Sequence, residues 1–242
     1  MYARRLCRAK NPSGFANFVE LPLRPLVAGT GARIATGKGK SMKRHLSLPE
    51  VRPTAERVVH LLAPACERIE IAGSIRRRAP TVGDIEIVCA PRMIPEAGKL
   101  FGGAMVSAME RHLDQIMARP GAKIGFDNEL RRNGPRYKRL EMSDAKLYRV
   151  KVDLFCVLPP ASWGAILAIR TGPSEFSRAL VTRRSLGGAM PDEIEQREGA
   201  LYGAGGRIDT PEEADFFAAL GLPWIRPEER TALALREIVR RL

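Results

Sequence analysis

With 242 residues, 45% of them hydrophobic, the chain has enough apolar material for one large or two small folded domains, which excludes a fibrous protein. No apolar run approaches the roughly 20 residues of a spanning helix and the N-terminus lacks a signal peptide's apolar centre, so no membrane is expected and the cytoplasm is the default location. The net charge of +13 is uneven: residues 1–44 carry +9 and residues 45–242 carry +4, so the folded part is too mildly basic to be read as a nucleic-acid binder on charge alone.

Met1 to Arg44 has scattered apolar residues, a Gly-rich segment from Ala28 to Lys40 and no helical or strand periodicity, and is expected to be disordered. A nucleic-acid-binding arm, an organelle transit peptide and a misassigned start are the three readings. The last is preferred, with translation beginning at Met42, because recognisable structure starts just after it. Pro53 to Ala63 reads as a helix, with Pro53 in its first turn and Val58, Val59, Leu61 and Leu62 as its apolar side. Ile69 to Ala72 reads as a short strand that breaks at Gly73-Ser74. Arg76, Arg77 and Arg78 and a Pro-Thr turn follow, then a second strand through Asp84-Ile85-Glu86-Ile87-Val88-Cys89.

Pro95 to Ala118 repeats apolar residues at Phe101, Met105, Met109, Leu113 and Ile116, which predicts a helix covering one sheet face. Lys123–Phe126, Tyr137–Met142 and Lys146–Leu158 read as strands of a meander, with Asn133-Gly134-Pro135 as a turn. The basic cluster Arg131, Arg132, Arg136, Lys138 and Arg139 fits either a nucleic-acid backbone contact or a solvated hairpin. Pro159-Pro160 marks a boundary. Beyond it come helices over Ser162–Arg170 and Pro173–Leu186, and an irregular or β-ribbon region over residues 189–209. A helix capped by Thr210 with Glu213 completing a box follows, then a last helix opened by Pro227. Cys7, Cys66, Cys89 and Cys156 form no Cys-x-x-Cys pair, so they read as buried small apolar residues rather than a zinc site or a disulfide framework.

The chemistry concentrates between Glu70 and Pro91. Alternation along a strand puts Asp84 and Glu86 on one face, where two like charges are tolerated only with cations beside them. Gly73-Ser74 exposes backbone N–H groups and a hydroxyl, and the three arginines add positive charge, a combination suited to a nucleoside triphosphate. Asp153, in the β-branched run Val150-Lys151-Val152-Asp153-Leu154, supplies a third strand-borne acid. Three such acids suit a two-metal phosphoryl-transfer centre; acids merely exposed at a sheet edge are the plainer alternative.

Gly73-Ser74-Ile75-Arg76-Arg77, Gly83-Asp84-Ile85-Glu86-Ile87-Val88, Val152-Asp153-Leu154 and Thr171-Gly172 together resemble the family X DNA polymerases, the DNA polymerase β group of the nucleotidyltransferase superfamily. The tail Thr210-Pro211-Glu212-Glu213, Ala219 through Ile225 and Pro227 through Arg230 resembles the end of that family's C-terminal subdomain, so the likeness spans roughly Leu48 to Ala232. It implies an α+β fold: a nucleotidyltransferase palm over residues 45–160 with a mixed, largely antiparallel sheet, and a small helical, thumb-like subdomain over residues 161–242 that closes on the nucleotide. It implies two Mg²⁺ ions, or Mn²⁺, on Asp84, Glu86 and Asp153, with Asp153 also drawing the proton from the attacking hydroxyl. Gly73, Ser74, Arg77 and Gly83 fall at triphosphate-binding positions, and Arg170, Gly172 and Ser177 fall at nucleotide-contacting ones.

The pattern departs from the family at Glu86 (usually Asp), Arg78 (usually Gly), Ile169-Arg170 (usually Tyr-Phe, lining the sugar pocket), Ser177 (usually Asn) and Val181 (usually Arg). It also lacks the family's N-terminal lyase domain. The function implied is a monomeric, gap-filling repair polymerase that binds DNA primer-template and a nucleoside triphosphate and releases pyrophosphate. A non-templated nucleotidyltransferase acting on RNA, a protein or a small-molecule hydroxyl, and a binding protein with residual metal affinity, remain open beside it.

Overall fold

A capping pair starts the first helix. The structure, a computed structural model, describes residues 46–96, 104–127, 133–145 and 147–242, all within one unit of residues 39–242. The expectations for Met1 to Arg44, and for Phe101, Arg131 and Arg132, lie outside the described residues. Strand β1 (Leu46–Ser47) leads into α1 (Leu48–Leu62), where the Ser47 N–H donates to the Glu50 carboxylate at 3.1 Å and Pro49 occupies the first turn. The helix therefore begins at Leu48 rather than Pro53. Pro53 lies inside it, one turn from the start, where the N–H it lacks would have served only the carbonyl of Pro49.

The chain continues through β2 (Cys66–Ile71), the single turn α2 (Gly73–Arg76), β3 (Thr81–Val82) and β4 (Ile85–Pro91). The ribbon β5 (Met93–Pro95) and β6 (Met105–Ser107) precedes α3 (Ala108–Met117). Among the described residues the long helix expected over Pro95 to Ala118 is present only as Ala108–Met117. Ser107 accepts from the Met109 N–H and starts the helix; Met105, in register with the apolar pattern, sits on β6 with 54% exposure. Next come β7 (Ile124–Phe126), β8 (Tyr137–Asp144) and β9 (Tyr148–Cys156).

Five of these strands form one sheet in the order β2-β4-β9-β8-β7, with β4 and β9 parallel and every other pair antiparallel. Strict alternation divides its two faces. Ile85, Ile87 and Cys89, Leu140 and Met142, and Val150, Val152, Leu154 and Cys156 pack with α1 and α3 into the main core. Cys66, Cys89 and Cys156 are buried free thiols, with Cys89 Sγ 3.7 Å from Cys156 Sγ. Glu86, Tyr137, Arg139 and Asp153 belong to the opposite face.

The described part of the basic cluster is neither a solvated hairpin face nor a free nucleic-acid grip. Lys138 is buried on the core side, with its ammonium 2.7 Å from Asn133 Oδ1 and 3.2 Å from Glu110. Arg136 donates to the carbonyls of Leu158 and Pro159, and Arg139 pairs with Asp153.

The C-terminal part contains α4 (Trp163–Thr171), α5 (Ser174–Val181), the ribbon β10 (Glu195–Arg197), β11 (Ala200–Gly203) and β12 (Gly206–Ile208), then α6 (Glu213–Ala219) and α7 (Ala232–Val239). The helix expected to run to Leu186 stops at Val181 and resumes only as a 3₁₀ turn at Arg184–Leu186. Pro227 likewise opens a 3₁₀ turn, and Thr231 caps the last helix. Phe176, Leu180, Leu201, Phe216, Phe217 and Leu220 form a second core. Trp163, Ile166 and Leu167 of α4 lie on Val88 and Phe155 of the sheet in a third cluster, which joins the two.

Glu213 does not complete a capping box with Thr210. The cap of α6 is Glu212, whose N–H donates to Asp215 at 2.9 Å, because Glu213 is drawn inward by two arginines. Arg76 grips it at 2.7 and 2.8 Å while donating to Thr171 Oγ1 at 2.9 Å, and the buried Arg230 reaches it at 2.8 Å. Burial pushes the Glu213 carboxyl up, but the hydrogen bonds from Arg76 and Arg230 outweigh it and hold it below its ordinary 4.5. This cluster ties α2, α4 and α6 together.

Truncating Glu213 leaves Arg230 buried without its counter-charge. Glu213→Ala is expected to cost about 3–5 kcal/mol in urea denaturation at pH 7. Glu228→Ala, which removes only the exposed 3.2 Å pair with Arg78, should cost less than about 1 kcal/mol. Because the folded Glu213 carboxyl is depressed, its contribution is present above about pH 4.5 and is lost as pH falls below it.

Candidate active site

Glu86 and Asp153 stand directly opposite each other in the parallel pair β4–β9, on strands about 4.8 Å apart. Asp84 lies in the turn just before β4, not on the strand, and is half-buried. The three acids named from the sequence are brought to one end of one sheet face. Burial first, then the Asp84 carboxylate and, less strongly, Asp153, push the Glu86 carboxyl up to about 8, against the downward pull of Arg170 and Arg77.

Gly73 is shaped by that carboxylate. Its φ is +59°, and a Cβ placed there would lie 1.8 Å from Glu86 Oε2, so any other residue would drive into the acid. Ser74 sits beside it in the first turn of α2. Arg77 reaches Thr171 O at 2.6 Å; burial lowers its guanidinium's pKa and Glu86 raises it. Gly83 is exposed, with open space where a side chain would start. Arg78, at the position where a glycine was expected, has φ +55°, a left-handed conformation that costs a side-chain-bearing residue about 1–2 kcal/mol.

From the other side, the Arg170 guanidinium stacks 4.1 Å over Phe155 and leans towards Glu86. Gly172 is pinned by close approach, since a Cβ there would meet Phe176 at 2.5 Å and Ser177 Oγ at 2.7 Å. Ser177 itself donates to Ile169 O at 2.6 Å, closing the end of α4. Gly73, Ser74, Arg77 and Arg170 thus surround the acids, whereas Gly172 and Ser177 shape the turn between α4 and α5.

Asp153 is not free. Arg139 holds both of its oxygens, at 2.6 and 2.7 Å, and the Tyr137 hydroxyl donates to Oδ1 at 2.7 Å. Hydrogen bonding to Asp153 raises the Arg139 pKa above an already high value. Among the described residues no three acid, His or Cys side chains form a ready metal cage. Asp84 and Glu86 nevertheless suit a divalent cation, because a carboxyl raised by burial and by a neighbouring carboxylate is one that a cation brings down. Sequence reasoning missed Tyr137 and Arg139 as partners of Asp153. The alternation of β8 placed them together on one face, but its register against β9 (Arg139 opposite Asp153) was not legible.

The segment that flanks these acids has known counterparts. Residues 166–231 match the DNA polymerase beta thumb. The match runs from the middle of α4 through α6 to Thr231, and supports a relation to the DNA polymerase β-like enzymes for this α+β chain. No curated protein matches the chain. Among the described residues no helix is long and apolar enough to cross a membrane.

The Glu86 shift has a measurable sign. The folded protein keeps this proton up to about pH 8 and the unfolded chain releases it near 4.5, so in chelator the contribution is present below 4.5 and is lost as pH rises through 8. Glu86→Gln should remove that slope, so that its stability advantage over the parent, followed by urea denaturation, grows between these limits. Gly73→Ala should destabilise by more than about 1 kcal/mol, and thermal melting of the variant is the check.

Proposed function

We propose that this chain is a metal-dependent nucleotidyltransferase that adds a nucleotide to a primer 3′-hydroxyl under the direction of a template and releases pyrophosphate. The observation that carries the proposal is Glu86 beside Asp153 at one end of the sheet, with Asp84 next to them and a segment matching the DNA polymerase beta thumb packed against the same face. Residues 45–160 serve as the palm and residues 161–242 as the part that closes over the nucleotide.

Asp84, Glu86 and Asp153 would hold two divalent ions, Mg²⁺ or Mn²⁺, which when bound supply charge to the phosphates and acidify the attacking hydroxyl. Asp153 accepts the hydroxyl proton. Ser74 and the Gly73 backbone take phosphate oxygens, and Arg77 adds a guanidinium to them. Arg170 presents its charge beside Glu86 where a family polymerase has an aromatic sugar-lining residue. Base pairing with the template supplies sequence information, so the protein reads backbone and shape.

A second reading has its own support. Ser177, at the base-contacting position, spends its hydroxyl on Ile169 O, and Arg136 and Lys138 are committed internally, which favours transfer to an untemplated hydroxyl on RNA, a protein or a small molecule. Primer extension on a one-nucleotide-gapped duplex, with dNTPs and rNTPs and Mg²⁺ or Mn²⁺, separates the two. Templated addition that falls by about 10³-fold or more in Asp153→Ala is the expected outcome. Addition independent of the template base would favour the second reading, and no addition to any hydroxyl would overturn both.

A further inference from the structure

Arg139 is a large cation placed where a metal centre has no use for a permanent one. It comes from β8, the strand on the far side of β9 from Glu86, and the register sets it squarely opposite Asp153. Both carboxylate oxygens are engaged by its fork, and Tyr137 adds a third hydrogen bond to Oδ1. A carboxylate has about four lone-pair sites, so little capacity remains for a metal. The pair is sheltered, with Asp153 and Arg139 side chains only 9% and 17% exposed. Tyr137 is held in turn by stacking on Phe155 at 5.2 Å, and the Arg170 guanidinium lies on the other contact of that ring, 4.1 Å from its centroid.

Burial and Asp84 act on Glu86 to raise its carboxyl, and Arg170 and Arg77 oppose them. Asp153 is the acid whose two oxygens are seen held by the fork of a single side chain.

Resting on the reading of Asp84, Glu86 and Asp153 as metal ligands, we propose that Arg139, with Tyr137, is a positioning residue that occupies Asp153 and competes with a divalent cation for it. Asp153 then joins a metal ion only when Arg139 is displaced. The competition is reciprocal: a cation on Asp153 weakens the hold of Arg139 as much as Arg139 weakens that of the cation. Tyr137 keeps the Asp153 carboxylate aimed during the exchange.

The test is a Mn²⁺ titration of the full chain, without nucleotide or DNA, followed by the paramagnetic resonance signal of the free ion. Parent, Arg139→Gln, Arg139→Lys, Tyr137→Phe, Asp84→Asn and the double variant Arg139→Gln/Asp153→Asn are compared, with folding checked by circular dichroism. Arg139→Gln is expected to bind Mn²⁺ about tenfold more tightly, within the usual range of site coupling. Arg139→Lys should stay near the parent, and the gain should vanish in the double variant. Tyr137→Phe, which preserves the stacked ring, should show a smaller gain and serves if Arg139→Gln does not fold. Unchanged affinity in Arg139→Gln and Tyr137→Phe, or a gain that persists without Asp153, overturns the proposal. Asp84→Asn judges the underlying reading separately: if it leaves Mn²⁺ affinity intact in the parent, Asp84 is not a ligand, whatever Arg139 does.

Discussion

Everything in this molecule is arranged around the repulsion between acids at one end of the parallel pair β4–β9. Two strands that run side by side in the same direction bring Glu86 and Asp153 level with each other, and the turn before β4 adds Asp84. In a partly desolvated setting such a concentration of negative charge is unfavourable unless cations are close, since the interaction strengthens as water is excluded. Burial first, and then the neighbouring Asp84 carboxylate, push the Glu86 carboxyl up to about 8.

Arginines relieve it from three directions. Arg77 enters from the turn after α2, Arg170 from the end of α4 and Arg139 from β8, the last as a bidentate pair with Asp153. A separate group, Arg76 and Arg230 on Glu213, keeps α2, α4 and α6 in fixed relation. The segment bearing the DNA polymerase beta thumb match is thereby anchored to the turn that carries Gly73 and Ser74. The surroundings of the acids and the placement of α4 and α6 share the same few residues: Arg76 and Arg77 are consecutive, and both end at Thr171.

The departures from the family pattern acquire local reasons. Arg78 occupies a left-handed backbone position that suits glycine. Ser177 is short enough to turn back onto Ile169 O, where a longer amide would extend outward. Arg170 finds in Phe155 the aromatic surface on which a guanidinium stacks well. The basic hairpin cluster is the instructive failure: read as a string of charges it suggests a solvated or DNA-facing surface, yet alternation sends Lys138 inward and Arg139 onto an acid.

The sequence alone determined what depends on neighbours along the chain. Alternating apolar residues dictated the strands and Gly73-Ser74 the break, because backbone geometry is local, whereas strand alternation did not place Asp84, which lies in the turn before β4. Two helix starts were misplaced: at α1 the local Ser47–Glu50 pair sets the start ahead of Pro53, and at α6 Arg76 and Arg230 claim Glu213 and leave the cap to Glu212. What only the folded chain decided is pairing across distance: which strand lies beside β9, in which register, and hence that Arg139 faces Asp153. Register is set by the burial of a whole sheet face, and no short stretch of sequence contains that information.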